Sequence, residues 1–320
     1  MLCRTANELY WMARHIERAE NTARLLDVTY RMSMLPYEAI EPGLAWAEPW
    51  AVPLITSGLA TEFYERFPQL TAENVLRYMI LDTTNPSSIN CCLRAAREAA
   101  RSVRGAITSE MYEDLNSAWL EARVQDFQRI QASGVSEFLD WVKMRSHLFR
   151  GVTFGTMLRD EAYHFIRLGT HIERADNTAR ILDVKYHTLL PSAADVGGAV
   201  DYYQWSALLR SVSGFESYRK IYSDVITPRR VAELLILRKD MPRSLHSCMS
   251  FIHETLEILC DNDQDTTEME RAAGELHARL MYGRTDDIIK EGLHEYLMDF
   301  LDRIYELGGE VNKHFLVPTY

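Results

Sequence analysis

The sequence predicts an all-α protein, a helical bundle built from two tandem units of about 156 residues, and three observations carry that expectation. Apolar residues recur at helical spacing in nearly every segment. No stretch alternates apolar and polar residues as a half-buried strand does, and one helical stretch occurs twice. HIERAENTARLLDVTY, from His15 to Tyr30, returns as HIERADNTARILDVKY from His171 to Tyr186, identical at thirteen of sixteen positions. Periodicity alone would repeat Leu, Ile and Ala. It does not explain the repeated polar residues Glu17 and Glu173, Arg18 and Arg174, Asn21 and Asn177, Arg24 and Arg180, and Asp27 and Asp183. Either a shared structural clamp or a shared site would.

The register extends along the chain. Ser57-Gly58 matches Ser213-Gly214, Pro86 matches Pro242, Ser88 matches Ser244, Cys92 matches Cys248 and Glu98 matches Glu254, all at the offset of His15 to His171. Pro36 and Trp50 meet Pro191 and Trp205 one position short of that offset, while Thr108-x-Glu110-Met111 and Glu137-Phe138-Leu139 meet Thr266-x-Glu268-Met269 and Glu295-Tyr296-Leu297 two beyond it. The expected units are therefore residues 1–154 and 155–320, each the size of an ordinary domain and able to pack as one body.

In chain order, the first helix is expected from about Ala6 to Arg31, with Ile16, Ala19, Ala23, Leu26 and Tyr30 on one apolar face. Pro36, Pro42, Pro49 and Pro53 impose a loop, after which helices are expected over Ala51–Arg66 and Ala72–Leu81. The next runs from Pro86 to Ile107, with Asn85 as N-cap and proline in the first turn, where a missing N–H is tolerated. Helices over Glu110–Gln131, Glu137–Arg150 and Met157–Leu189 follow, and Pro191 to Gly198 must loop. The second unit continues with Tyr202–Ser223, Pro228–Lys239, Pro242–Cys260, Glu268–Tyr282 and Asp286–Leu307.

Composition excludes several function classes. A net charge of −11 argues against duplex nucleic-acid binding, which needs a net basic face, although a local basic groove is compatible with it. Five cysteines, with Cys91 and Cys92 adjacent and no CxxC pair, make neither a disulfide framework nor a zinc site, and a reducing cytoplasm fits them. The opening MLCRTANELYW lacks an apolar signal region, and no stretch approaches 18 uncharged apolar residues, so neither secretion nor membrane insertion is expected.

On the first helix Glu17, Asn21, Arg24 and Val28 form a ridge separate from the apolar face, and Arg18 lies on another strip. Adjacent residues diverge by about 100°, so Glu17 and Arg18 are not one another's partners and each must reach something else. An interhelical ion-pair clamp and a binding or catalytic site both satisfy that requirement. A second cluster, Arg94, Arg97, Arg101 and Arg104, forms a stripe behind the helix start at Ser87 and Ser88 and suits a phosphate or carboxylate. Its counterparts are Ser250, His253, Glu257 and Cys260, so any anion is expected once per chain, between the Pro86 helix and the Glu17 ridge. A solvated arginine face paired with surface carboxylates is the alternative. Two Glu-x-x-His pairs, Glu161/His164 and Glu291/His294, are not equivalent in the repeats, and no metal or cofactor is expected. Cys92 and Cys248 do correspond, but a nucleophile would need a positioned base. There is no glycine-rich phosphate loop and no nucleophile elbow.

The HIERAENTAR segment, the NPSSI turn and the stretch from Arg94 to Gly105 together resemble the bacterial alpha-E domain family, an all-helical domain named for its Glu-Arg motif. The motif falls on Glu17-Arg18 and again on Glu173-Arg174, while Ala99 stands where the family motif has a polar Asn. Members of that family are typically encoded beside, or fused to, a circularly permuted ATP-grasp protein, often with a transglutaminase-like protein nearby. The resemblance thus implies an accessory component of an ATP-dependent peptide- or amide-bond-forming system. Taken with the motif helices and the arginine stripe, it leads to the expectation that a substrate or partner is bound through Arg18, Asn21, Arg24, Ser87, Ser88, Arg94, Arg97, Arg101, Arg174, Asn177 and Arg180. An enzyme of amide or acyl transfer with Glu17 or Glu173 as general base, and a purely structural interaction protein, are the alternatives.

Overall fold

The computed structural model describes residues 1–33, 49–187, 198–260 and 267–317; the expected loops at Pro36 and Pro42 and from Pro191 to 197 lie outside them. Among the described residues there is no strand. The first half comprises α1 (Cys3–Ser33), α2 (Ala51–Ser57), α3 (Ala60–Arg66), α4 (Ala72–Ile80), α5 (Ile89–Ser102), α6 (Ser109–Ala122), α7 (Phe127–Ser133) and α8 (Val135–Thr156). The second comprises α9 (Glu161–His187), α10 (Ala199–Ser211), α11 (Phe215–Tyr222), α12 (Pro228–Ala232) with a π turn at 233–237, α13 (Leu245–Leu259), α14 (Thr267–Met281), α15 (Thr285–Glu291) and α16 (Leu293–Val311).

The all-α expectation holds, and the breaks refine it. The helix expected over 51–66 is two helices, because Gly58 adopts a left-handed φ of 68° that closes α2. The stretch 110–131 divides where Asp126 caps a new helix, its carboxylate accepting the Arg129 N–H. Asn85 is not an N-cap. Its side chain accepts the Ser87 N–H and donates to the Tyr78 carbonyl, closing a turn that carries Pro86, and Ser88 caps α5 three residues later. Ser244 does the same for α13, so Pro242 also lies before its helix, whereas Pro228 occupies the first turn of α12 as expected. Met157 belongs to the break between α8 and α9.

Helices α1 and α9 form a central pair running in the same direction. Tyr10 meets Gly169, and Glu17 and Arg18 meet Arg174 and Glu173, so contacts advance together along both helices. Around this pair, α5 and α8 pack on α1, α13 and α16 pack on α9, and α10 and α2 cross over to α1 and α9 respectively. One hydrophobic core runs through both halves, with Leu9, Met12 and Ile16 from α1 beside Phe165, Ile172 and Leu182 from α9 in the same cluster. Each such side chain contributes about 1.5–3 kcal/mol on burial, so charged groups set within this pair must be matched by partners.

Candidate functional site

The two Glu-Arg motifs bind each other. Arg174 grips Glu17 with two parallel bonds, Nε to Oε1 at 2.9 Å and Nη2 to Oε2 at 2.8 Å. Arg18 grips Glu173 in the same manner at 2.6 and 2.9 Å. Each motif therefore supplies the arginine for the other's glutamate. This paired fork geometry is the strongest form of a charge-assisted hydrogen bond.

Further cations join each end unequally. Glu173 receives Arg14 at 2.7 Å. Glu17 receives Arg243 at 3.0 Å and Arg150 at 3.0 Å, which saturates both of its oxygens. Glu20, fully buried one turn along α1, accepts from Arg24 at 2.7 Å, Arg243 at 2.7 Å and Ser146 at 2.7 Å, and also contacts Arg150. The Arg243 guanidinium donates as well to the Asn21 Oδ1 at 2.9 Å, while its own carbonyl accepts the Thr178 hydroxyl of α9 at 2.9 Å. Arg243 is thus anchored on one central helix and reaches the other. Arg24 extends outward to the Ser213 hydroxyl at 2.5 Å and the His147 ring at 3.1 Å.

Burial opposes ionisation of Glu173, yet Arg18 and Arg14 outweigh it and bring its carboxyl down to about 2. Burial likewise works against Glu17, and Arg174 and Arg243 again prevail, so its carboxyl lies below the usual range. A carboxylate this firmly ionised and this fully bonded has little basicity to offer a substrate proton, which weighs against a general-base role for either glutamate. Burial pushes Arg243 downward although Glu17 and Glu20 touch it, with Arg174 and Arg24 adding repulsion. Cation is locally in excess.

The same surroundings keep two equivalent histidines neutral. Burial, with repulsion from Arg18, lowers His15 to about 4, and burial with Arg174 and Arg167 holds His171 well below 6.5. The unfolded chain binds more protons than the folded one below pH 6.5, so stability should fall as pH drops from 6.5 towards 4. It should fall further down to about 2 as Glu173 protonates. Urea midpoints measured across this range should show a loss of about 2 kcal/mol or more by pH 4. A His15→Gln, His171→Gln double variant should flatten the upper part of that slope, and an unchanged slope would remove these residues as its cause.

The other sequence-derived candidates are placed differently. The stripe is spent on α5 and α6: Arg94 donates to Cys91, Arg97 to Asn116 and Glu98, Arg101 to Glu98, and Arg104 lies over the Tyr112 ring. None of these described contacts reaches the Glu17 ridge. Ser88 is consumed as a cap, donating to the Asp82 carbonyl and accepting the Cys91 N–H, and the Ser87 N–H is taken by Asn85. Arg180 pairs with Asp176 one turn back at 2.9 Å, and Asn177 is half-buried beside it. Glu161 meets the N-terminal amine, Glu291 meets Arg279, and His294 bonds Asp183 at 2.6 Å; among the described residues no group of three metal-ligating side chains is assembled. Burial pushes the Cys92 and Cys248 thiols up to about 12, which makes them inert packing groups.

Sequence reasoning missed Arg14, Glu20, Arg150 and Arg243. The available signal was departure from the repeat, since Arg14 faces Thr170, Arg243 stands opposite Ser87 and Arg150 opposite Gly308 in the two registers.

The sequence profile of the Alpha-E family, described as a predicted alpha-helical domain with a conserved ER motif, matches residues 1–316. An uncharacterized protein of Mycobacterium bovis and one of Mycobacterium tuberculosis are each 24% identical over 327 residues, covering 94% of this chain and 35% of their own length. The chain thus spans about a third of the length of the curated relatives it matches. No solved structure matches it. Among the described residues no helix is long and apolar enough to cross a membrane.

Proposed function

The chain belongs to the Alpha-E family, and from that membership we propose that it is an accessory component of an ATP-grasp-linked system that forms peptide or amide bonds, holding a substrate or partner. In this reading Glu17 and Glu173 are the clamp that fixes the central helices, and the arginines around them provide the binding. The observation that carries it is the saturation of both Glu17 oxygens by Arg174, Arg243 and Arg150, which leaves donors in excess and no free base. The greater length of the mycobacterial relatives supports it too, because a module that works beside other catalytic parts is at home within a longer chain. The outer arginines Arg94, Arg97 and Arg101 offer a face on which an ATP-grasp protein, or a transglutaminase-like one, could dock.

Tagged co-expression with an ATP-grasp protein encoded in the same genome tests this. The expected outcome is a stoichiometric complex in which ATP turnover changes on addition of this chain. If the two neither associate nor alter one another's activity, the accessory reading is rejected.

A further inference from the structure

The clamp leaves a charge unmatched. Among the described residues, Arg24, Arg150, Arg174 and Arg243 surround Glu17 and Glu20, four guanidinium groups against two carboxylates, in a chain whose net charge is −11. A buried surplus of cation is unfavourable unless something negative enters, and an acidic molecule that concentrates positive charge at one place focuses its field there. The Nδ2 of Asn21, on a residue 2% exposed, has no acceptor, although its Oδ1 is held by Arg243. Buried donors are ordinarily satisfied, so this one points to an absent acceptor.

At the rim Ser213 has a left-handed φ of 54°, a conformation in which a non-glycine residue is strained. The corresponding turn of the first half gives that conformation to Gly58. Ser213 holds its hydroxyl oxygen against Arg24, which leaves the hydroxyl hydrogen to donate elsewhere. Arg24, His147 and Ser213 meet in exposed contacts, and Arg150 is partly exposed, so this end of the cluster opens to solvent.

We propose that this rim is a binding site for a single oxyanion, a carboxylate or phosphate group, received by Arg24, Arg150, Arg243, the Asn21 amide and the Ser213 hydroxyl. Among the described residues the groups named there are donors, and the two carboxylates beside them, Glu17 and Glu20, are already paired with arginine. The site occurs once per chain, because Ser87 and Gly308 occupy the positions equivalent to Arg243 and Arg150. It rests on the accessory reading only for its biological use. Binding is measured on the chain alone, so its failure and the failure of the complex are separate results.

The experiment titrates the full chain with inorganic phosphate and with acetate by calorimetry, and follows thermal unfolding in both, against sodium chloride at matched ionic strength. One site per chain is expected, with an unfolding midpoint that rises with ligand concentration. Tighter phosphate binding identifies a phosphoryl ligand, and tighter acetate binding a carboxyl one. Asn21→Asp should fold as well as the parent, since its carboxylate still accepts from Arg243 and supplies the missing charge, yet weaken binding by about tenfold or more. Arg271→Ala, an exposed arginine of α14 that pairs with Glu268 and Glu275, should bind as the parent does. His147→Ala at the exposed rim should lower affinity by about threefold and keeps the test decisive if Asn21→Asp misfolds. No binding of either anion above chloride, two equivalent sites, or parental affinity in both Asn21→Asp and His147→Ala would overturn the proposal.

Discussion

Glu17→Ala is expected to cost about 3–5 kcal/mol, most of the margin of an ordinary domain, and to leave a chain that is largely unfolded at physiological temperature. The alanine removes the acceptor of Arg174, Arg243 and Arg150 at once, and Glu17 is 1% exposed, so water cannot replace it. Glu17→Gln should retain the shape but lose the charge, and should still cost a large part of that sum. Glu173→Ala is expected to cost less, because Arg14 and Arg18 are 18% and 25% exposed at their side chains and can turn to solvent. Denaturant unfolding followed by circular dichroism ranks the three variants. A Glu17→Gln protein with the parent's midpoint would mean that the clamp is not what holds the central helices, and would reopen a catalytic role.

The second large effect is steric. A Cβ built on Gly169 falls within the van der Waals shell of the Tyr10 carbonyl oxygen and 3.1 Å from its carbonyl carbon, backbone atoms of a fully packed helix that cannot step aside. Gly169→Val should therefore force α1 and α9 apart along the line on which the clamp depends, costing about 3 kcal/mol or more, and Gly169→Ala somewhat less. Gly151 on α8 meets nothing within 4 Å and serves as the control. There alanine should stabilise by up to about 1 kcal/mol through helix propensity alone. A tolerated Gly169→Val would show that the helices are further apart than this packing requires.

These effects divide along what sequence can and cannot carry. The reach of Glu17 and Arg18 towards separate partners followed from helix geometry, and the identity of those partners was implicit in a motif that occurs twice. What stayed hidden depended on tertiary approach. Arg243 comes from the turn before α13, and nothing local ties it to Glu20, more than two hundred residues away. Arg150 sits on a helix whose own periodicity marks it as half-exposed. The helix breaks were obscured for a different reason: continuous apolar spacing passes through Gly58, Gly214 and Gly292, and only backbone dihedrals reveal the turns, with positive φ at Gly58, at Gly292 and at Ser213 beside Gly214. At Ser88 the signal was present but ambiguous, since Asn85 and Ser88 are both good caps and the choice fell to which side chain could reach a free N–H.

The reciprocal grip of the two motifs is, in the language of oligomers, an isologous contact contained within one polypeptide. In a dimer of identical subunits every side chain at such a contact appears on both sides of the axis, so an added arginine is added twice and its repulsion is doubled. Covalent union lifts that restriction. Arg243 and Arg150 exist on one side only, opposite a serine and a glycine, which a pair of identical subunits could not arrange. The Glu17 end gathers Arg150 and Arg243 while the Glu173 end takes Arg14 instead, so the two ends of one contact carry different cations on a geometry that the reciprocal bonds keep fixed.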